Sequence, residues 1–334
     1  MTIKDIAAQT GYSVGTVSRV LNHQPNVSEK ARKAILEAAS ACDFQLNTNA
    51  QQLKQLRSQN IIVLVKGSSN QLFGRLVENI QRKMAGSPYH LVVEYLDEDN
   101  NEVLRGLQLC REKKPRGMLF LGGNRRHFLE NFGNIDVPCV LVTNDGSGLP
   151  FPNLSSVYCN DDQAVREAME RLIALGHRRF AIIGGDRKIS DTTMRRYQGC
   201  MDAFRAHGID FDEELDYRTV RFSYSDGYRG ASDLAAKNRG YTAIFCMADV
   251  MAMGAIRALA DQGLRVPEDV SVVGFDGLTI GDFIVPRLST VSQSVEELAQ
   301  RSVELLKGSI EGNAISIHEV VPARLQWRES TKAL

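Results

Sequence analysis

The 334-residue chain has no net charge: 40 lysines and arginines stand against 40 aspartates and glutamates. That excludes a chain-wide polycation or polyanion and leaves only local charge to recognise a partner. No apolar run approaches membrane-spanning length and no apolar signal core opens the chain, so the expected location is the cytoplasm, with no membrane partner. The six cysteines (Cys42, Cys110, Cys139, Cys159, Cys200, Cys246) lie far apart without a C-x-x-C, which argues against a zinc site and against a disulfide framework. Catalytic signatures are lacking too. The six histidines show no H-E-x-x-H, there is no G-x-S-x-G, and Gly122-Gly123 and Gly184-Gly185 extend to no phosphate-binding motif. No catalytic residue, cofactor or metal is assigned, and no enzyme is expected.

What is present begins at the N-terminus. Thr2 and Asp5 suit a helix start, and Ile3, Ile6 and Ala7 share one helical face. Gly11 stands where that helix must stop and the chain reverse. Ser13 is a second cap, followed by the stripe Val14, Val17, Val20 and Leu21, which leaves Gly15, Thr16, Ser18 and Arg19 outward. Ser28 and Glu29 open a third helix with Ala31, Ile35, Ala38, Ala39 and Cys42 on its inner side. Three such helices make a compact bundle whose second helix has a groove-sized polar start. Spacing alone leaves a plain helical bundle or a dimerisation cap equally open.

The residue string itself narrows this. I-K-D-I-A-A-Q-T-G-Y-S-V-G-T-V-S-R-V-L-N (3–22) resembles the DNA-binding signature of the LacI/GalR family of bacterial transcription regulators, with Tyr12 departing from the usual valine. The resemblance implies that Val14 and Gly15 read base edges. Arg19 is the strongest further candidate, because a guanidinium pairs bidentately with guanine. Thr2, Ser13, Thr16, Ser18 and Asn22 would mainly hold phosphates, and His23 would add a contact or stand as a solvated loop residue. In residues 47–58, Asn47, Ala50, Leu53 and Lys54 resemble the family's hinge helix. There the leucine wedges into the minor groove, and Gln51 replaces a usual arginine. Read without the resemblance, that stretch is a flexible linker. Through residue 58, seven cations (Lys4, Arg19, Lys30, Arg32, Lys33, Lys54, Arg57) against four acids (Asp5, Glu29, Glu37, Asp43) leave +3, and the remainder carries −3. A surplus that small calls for two heads in a dimer.

From residue 60 the pattern becomes strand–helix alternation: I-I-V-L-V (61–65), L-V-V-E-Y (91–95), G-M-L-F-L (117–121), P-C-V-L-V (138–142), R-F-A-I-I-G-G (179–185), Y-R-T-V-R-F (217–222), A-I-F-C-M (243–247) and V-S-V-V-G-F (270–275), with helical stretches between. Buried apolar runs of this kind mark parallel strands covered on both faces. They are too many for one sheet, so two doubly wound lobes are expected. The fold class is thus a small all-α helix-turn-helix head plus an α/β two-lobed core. The head spans 1–46, the hinge 47–58 and the core 59–334. One lobe takes about 60–159 plus 290–317, and the other about 160–289 plus 318–330.

L-G-H-R-R-F-A-I-I-G-G (175–185), A-I-F-C-M-A-D-V-M-A-M-G-A (243–255), G-L-R-V-P-E-D-V-S-V-V-G-F-D (263–276) and P-R-L-S-T-V (286–291) resemble the same family's effector core, which is similar to periplasmic sugar-binding proteins. Ligands of open α/β sheets sit outside the carboxyl ends of strands. By resemblance, Arg196 and Asp276 would bond ligand hydroxyls and Phe73 and Phe222 would stack on an apolar face. Asp249 would bond the ligand or cap its helix. Thr143-Asn144 replaces the family's frequent Asp-Arg, which passes that role to Asp145. The expected protein is a DNA-binding regulator, a repressor, that takes a near-palindromic operator as a homodimer under a sugar-like effector. No leucine heptads follow Trp327, which favours a dimer over a tetramer. A solute-binding protein of the same core fold is the alternative. It predicts a secretion signal and no basic head.

Overall fold

The computed structural model describes residues 3–21, 27–41, 58–67, 70–312 and 315–334. The chain divides into two compact units, Met1–Arg57 and Ser58–Leu334.

In the first unit, α1 (Ile3–Thr10), α2 (Val14–Leu21) and α3 (Glu29–Ala41) enclose Ile6, Val17, Val20, Ile35 and Ala39. Gly11 takes φ +71° and donates its N–H to Ala7 O at 3.0 Å, so glycine ends α1 as the sequence requires. Ser28 Oγ accepts from Ala31 N at 3.3 Å and caps α3.

The second unit holds two parallel sheets. The first contains β1 (Asn60–Lys66), β2 (His90–Leu96), β3 (Gly117–Leu121), β4 (Cys139–Val142), β5 (Leu154–Tyr158) and β11 (His318–Val320), in the order β11-β5-β4-β3-β1-β2. The second contains β6 (Phe180–Gly184), β7 (Tyr217–Thr219), β8 (Ala243–Cys246), β9 (Ser271–Asp276), β10 (Ser289–Gln293) and β12 (Ala323–Gln326), in the order β12-β10-β9-β8-β6-β7. Only β10–β12 is an antiparallel pair among the described strands. The alternation of side chains along β1 feeds two cores. Ile61, Val63 and Val65 pack toward α4 (Gln71–Met84) with Leu72, Leu76 and Ile80, while Ile62 and Leu64 join Phe120, Phe128 and Phe132 on the opposite face. Helices α5 (Glu102–Lys113), α6 (Arg125–Asn131), α7 (Asp161–Ala174), α8 (Asp191–Ala206), α9 (Glu213–Asp216), α10 (Tyr224–Ala236) and α11 (Asp249–Asp261) complete the alternation up to β9, and α12 (Val295–Ile310) covers the first sheet.

The lobe boundaries differ from the sequence reading at the C-terminal crossings. The strand at 289–293 pairs parallel to β9, with Val291 opposite Phe275, and so belongs to the second lobe. The strand at 318–320 pairs parallel to β5, with Glu319 opposite Val157, and belongs to the first. Short, polar strands such as S-T-V-S-Q carry no pattern that says which sheet edge they join.

Helices α10 and α11 cross at backbone contact. A Cβ at Gly254 would meet the Tyr224 carbonyl oxygen and the Tyr228 amide, and one at Gly227 would meet the Met251 backbone. Backbone cannot give way as a side-chain tip does. Gly254→Ala is therefore expected to cost about 1–3 kcal/mol by overpacking, read as a lowered urea midpoint with an unchanged denaturant slope.

Candidate nucleic-acid interface and ligand cleft

In the first unit, Ser13 Oγ accepts from Thr16 N at 3.2 Å and lies 2.9 Å from Thr16 Oγ1, which fixes the start of α2. Arg19 is exposed. Val14, counted with the apolar stripe, is 47% exposed, because the first turn of α2 lies outside the core cluster. It therefore projects with Gly15 and Arg19. A Cβ at Gly15 would meet nothing closer than Ser13 Oγ at 3.8 Å, and Gly15 has no positive φ. Packing thus gives no reason for a glycine that costs about 1 kcal/mol in mid-helix. Thr2, Asn22, His23, Asn47, Ala50, Leu53, Lys54 and the side chain of Ser18 lie outside the described residues.

In the second unit, the carboxyl ends of both sheets face a cleft of about 360 Å³, and Phe73, Arg196, Phe222 and Asp276 all line it. Arg196, on α8, is 3% exposed. Its Nε donates to Asp161 Oδ2 at 2.8 Å, its Nη1 donates to Met247 O, and Nη2 lies 3.8 Å from Asp276 Oδ1. The guanidinium sits 3.6 Å above the Phe275 ring, so packing and hydrogen bonds fix its plane. Asp276 ends β9 with φ +120°, and Thr143 follows β4 with φ +75°. Both are costly conformations for residues with a Cβ, and both occur at the cleft wall. Asp276 is held there by Asn70 Nδ2, donating to Oδ2 at 3.0 Å, and by Gln293 Nε2, donating to Oδ1 at 2.9 Å. Burial pushes the Asp276 carboxyl up to about 6 against the pull of Arg196.

Two of the six residues expected at the ligand stand elsewhere. Asp249 is fully buried beneath the cleft. Its Oδ2 accepts from Leu278 N at 2.6 Å and its Oδ1 from Thr290 Oγ1 at 2.6 Å, so it props the loop after β9 and is not a wall residue. It also makes no side-chain cap to its helix. Burial, and then the nearby Asp276 charge, push its carboxyl up to about 8. Asp145 lines an adjoining cavity of about 420 Å³, where it pairs with Arg195 at 2.5 Å. The neutral pair Thr143-Asn144 stands at the main cleft in its place.

Sequence reasoning missed the residues that join the lobes. Asn70 caps α4 through Leu72 N and also donates to Asp276, and Arg75 Nη1 donates to Gly277 O at 3.0 Å. Asn144 Nδ2 donates to Thr192 Oγ1 at 3.1 Å, and Arg125 N donates to Asp191 Oδ2 at 2.9 Å. Arg221 reaches Asp97, Glu98 and Asp99 across the mouth. The available signal was a cap asparagine directly after the first apolar strand, which reads equally well as a plain N-cap.

Comparison with known proteins agrees with this anatomy. Residues 2–47 match the profile of bacterial regulatory proteins of the lacI family, and residues 169–331 match a periplasmic binding protein-like domain. The chain is 33% identical over 343 residues to the HTH-type transcriptional regulator MalR of Clostridium butyricum, covering 99% of both chains. It is 28% identical to the HTH-type transcriptional repressor CytR of Escherichia coli (strain K12), covering 100% of this chain and 97% of the other. Among solved structures, the lac repressor dimer bound to operator and the anti-inducer ONPF superposes with a TM-score of 0.73 at 25% identity, over 100% of this chain and 99% of that one. The complex of the transcriptional regulator CelR with cellobiose superposes with a TM-score of 0.72 at 27% identity, over 99% of each. These relatives are named as regulators and repressors of transcription, in line with a chain to which the sequence assigns no catalytic residue.

Proposed function

This chain belongs to the lacI family of bacterial regulatory proteins, a transcriptional regulator with a helix-turn-helix head and a periplasmic-binding-protein-like core, and we propose that it is a cytoplasmic repressor gated by a small hydroxylated metabolite. Two copies present two heads to a near-palindromic operator. Val14, Gly15 and Arg19 address base edges, while Ser13, Thr16 and Ser18 hold phosphates. Connector residues Asn47, Ala50, Leu53 and Lys54 extend that contact into the minor groove. The metabolite sits between the lobes, stacked on Phe73 and Phe222 and hydrogen-bonded by Arg196 and Asp276.

The observation that carries this reading is the geometry of Arg196. A guanidinium is locked edge-on in a 360 Å³ cleft, between two carboxylates and beside two phenyl faces, all at strand ends. Such a wall offers fixed donors and acceptors to hydroxyls and flat apolar area to a ring. The cross-lobe bonds of Asn70, Arg75 and Arg221 form only when the lobes approach. A ligand that favours the closed arrangement therefore shifts DNA affinity by its differential binding to the two states.

The test selects bound fragments from a genomic library with the full chain, then titrates sugars and nucleosides against the selected fragment. A preferred fragment whose affinity one metabolite class changes supports the reading. Absence of any preferred fragment, with and without metabolites, overturns it. On the selected fragment, Arg19→Ala is expected to weaken binding by about ten- to a hundredfold and random DNA far less. Equal losses on both would reduce Arg19 to a phosphate contact.

A further inference from the structure

The cleft carries more negative than positive charge. Each of its four cationic wall residues is already occupied. Lys66 Nζ lies 2.7 Å from Glu102 Oε2, Arg196 serves Asp161 and Asp276, and Arg229 pairs with Asp226. Arg221 alone faces three acids, Asp97, Glu98 and Asp99. Asp186 adds an eighth carboxylate to the walls and their partners, with no cationic side chain in ion-pair range among the described residues. Four cations thus meet eight carboxylates. One of those carboxylates is also short of donors: Asp161, 3% exposed, has no hydrogen-bond partner for Oδ1 among the described residues. The adjoining cavity repeats the imbalance, with Asp145, Asp161 and Asp191 against Arg125 and Arg195.

With the interlobe cleft as the effector site, a reading on which this inference rests, we infer that the bound metabolite carries a protonated amine beside its hydroxyls. Between walls of low polarisability the carboxylate surplus attracts a cation and repels a phosphate or uronate more strongly than open water would allow. The guanidinium and ammonium groups of the wall, spent on protein acceptors, leave no dedicated partner for an anion. The ring faces of Phe73 and Phe222 suit the same cation, since an aromatic quadrupole is negative over its face. Hydroxylated effectors without charge would find the same stacking area but would leave the surplus uncompensated.

Two measurements on the full chain test this. The first reads the sign of the cleft without knowing the ligand. Trp327 is replaced by phenylalanine, so that a tryptophan placed by Phe222→Trp, or separately by Phe73→Trp, is the only indole, and its quenching by caesium, iodide and acrylamide is recorded. Relative to a free tryptophan amide, caesium is expected to quench several-fold more than iodide in both variants, with the gap closing as salt is raised. Iodide quenching equal to or above caesium overturns the inference. The second titrates matched sets that share one ring: D-glucosamine, D-glucose, D-glucuronate and D-glucose 6-phosphate. The amine is expected to bind about tenfold tighter than the neutral sugar, and the two anions about tenfold weaker or worse. An anion or the neutral sugar binding most tightly also overturns it. If no sugar or nucleoside of any charge binds, the effector reading of the cleft fails, while the quenching ratio still decides the sign of its field.

Discussion

Arg196→Ala is expected to lower the unfolding free energy of the two-lobed unit by about 3–5 kcal/mol and to abolish the response to the effector, while the isolated chemistry of the head is untouched. The magnitude follows from what remains behind. Asp161 and Asp276 are 3% and 0% exposed, and Arg196 is the cation that both of them face. Removing it strands two carboxylates in a medium that solvates them poorly, strips a donor from Met247 O, and uncovers the Phe275 ring. Burial already raises the Asp161 and Asp276 carboxyls against the pull of Arg196. Without the guanidinium, they would be driven further toward protonation, which limits the loss. Arg196→Lys keeps the charge but has neither the planar fork nor the stacking face, and it is expected to recover only part of the stability. Urea unfolding followed alongside effector titration separates the two consequences. The companion change Asp161→Asn removes one stranded charge, so the double variant Arg196→Ala/Asp161→Asn should be less destabilised than the sum of its parts. A double variant that loses the full sum would show that Arg196 contributes packing rather than charge compensation.

How much of this was legible in the sequence depends on the kind of signal each feature carries. The head was legible because its instructions are local: Ser13 and Ser28 cap the helices they precede, Gly11 takes the positive φ that ends α1, and Val17, Val20 and Ile35 fall inside at helical spacing. The central strands were legible for a related reason, since runs such as I-I-V-L-V are buried on both faces and need no partner to be recognised. Strand β5 was not seen. Its sequence L-S-S-V-Y puts two serines on a buried strand, where Ser155 Oγ accepts from Ile317 N at 3.1 Å and Ser156 Oγ from Gly146 N at 3.0 Å. Those partners are distant in the chain, and a serine does not announce them. The same limit explains the site. Arg196, Phe73, Phe222 and Asp276 stand at strand ends or in motifs, where topology places ligands. Asp249 shares the motif logic, yet it points beneath the cleft to Thr290 and Leu278. Which of two neighbouring aspartates faces the ligand is a matter of one layer of depth, and sequence period does not encode depth. The cross-lobe bonds of Asn70 and Arg221 span more than a hundred residues, beyond any local pattern.

Asp249→Asn should abolish much of the pH dependence of stability of the two-lobed unit between pH 6 and 8 and leave the variant more stable than the parent at pH 8. Two influences compete at this carboxyl. It lies in the first turn of α11, where the helix N-terminus favours a negative charge. Burial and the Asp276 charge oppose that, and they win, since the group is pushed up from 3.8 to about 8. A carboxyl raised in the native state binds its proton more tightly there than in the unfolded chain. As pH climbs from about 4 to about 8, the unfolded chain has released that proton and the native one still holds it. Stability is therefore fullest below the unfolded value and falls through this window, by at most about 1.4 kcal/mol per pH unit for each such group. Asp276, raised to about 6, adds its share below that point. The surroundings accept a neutral group in the position. Leu278 N donates to one oxygen of Asp249, and Thr290 Oγ1 at the other has the Val291 carbonyl 3.4 Å away as an alternative acceptor, so that it can itself accept. An asparagine reproduces that pattern, with its carbonyl toward Leu278 and its amide toward Thr290 Oγ1. At pH 5, where the parent carboxyl is itself protonated, variant and parent should have nearly equal urea midpoints. By pH 8 the parent should have lost stability that the variant keeps. Parallel stability curves across that range would mean that Asp249 is ionised in the folded protein throughout, with the helix terminus and its donors outweighing burial.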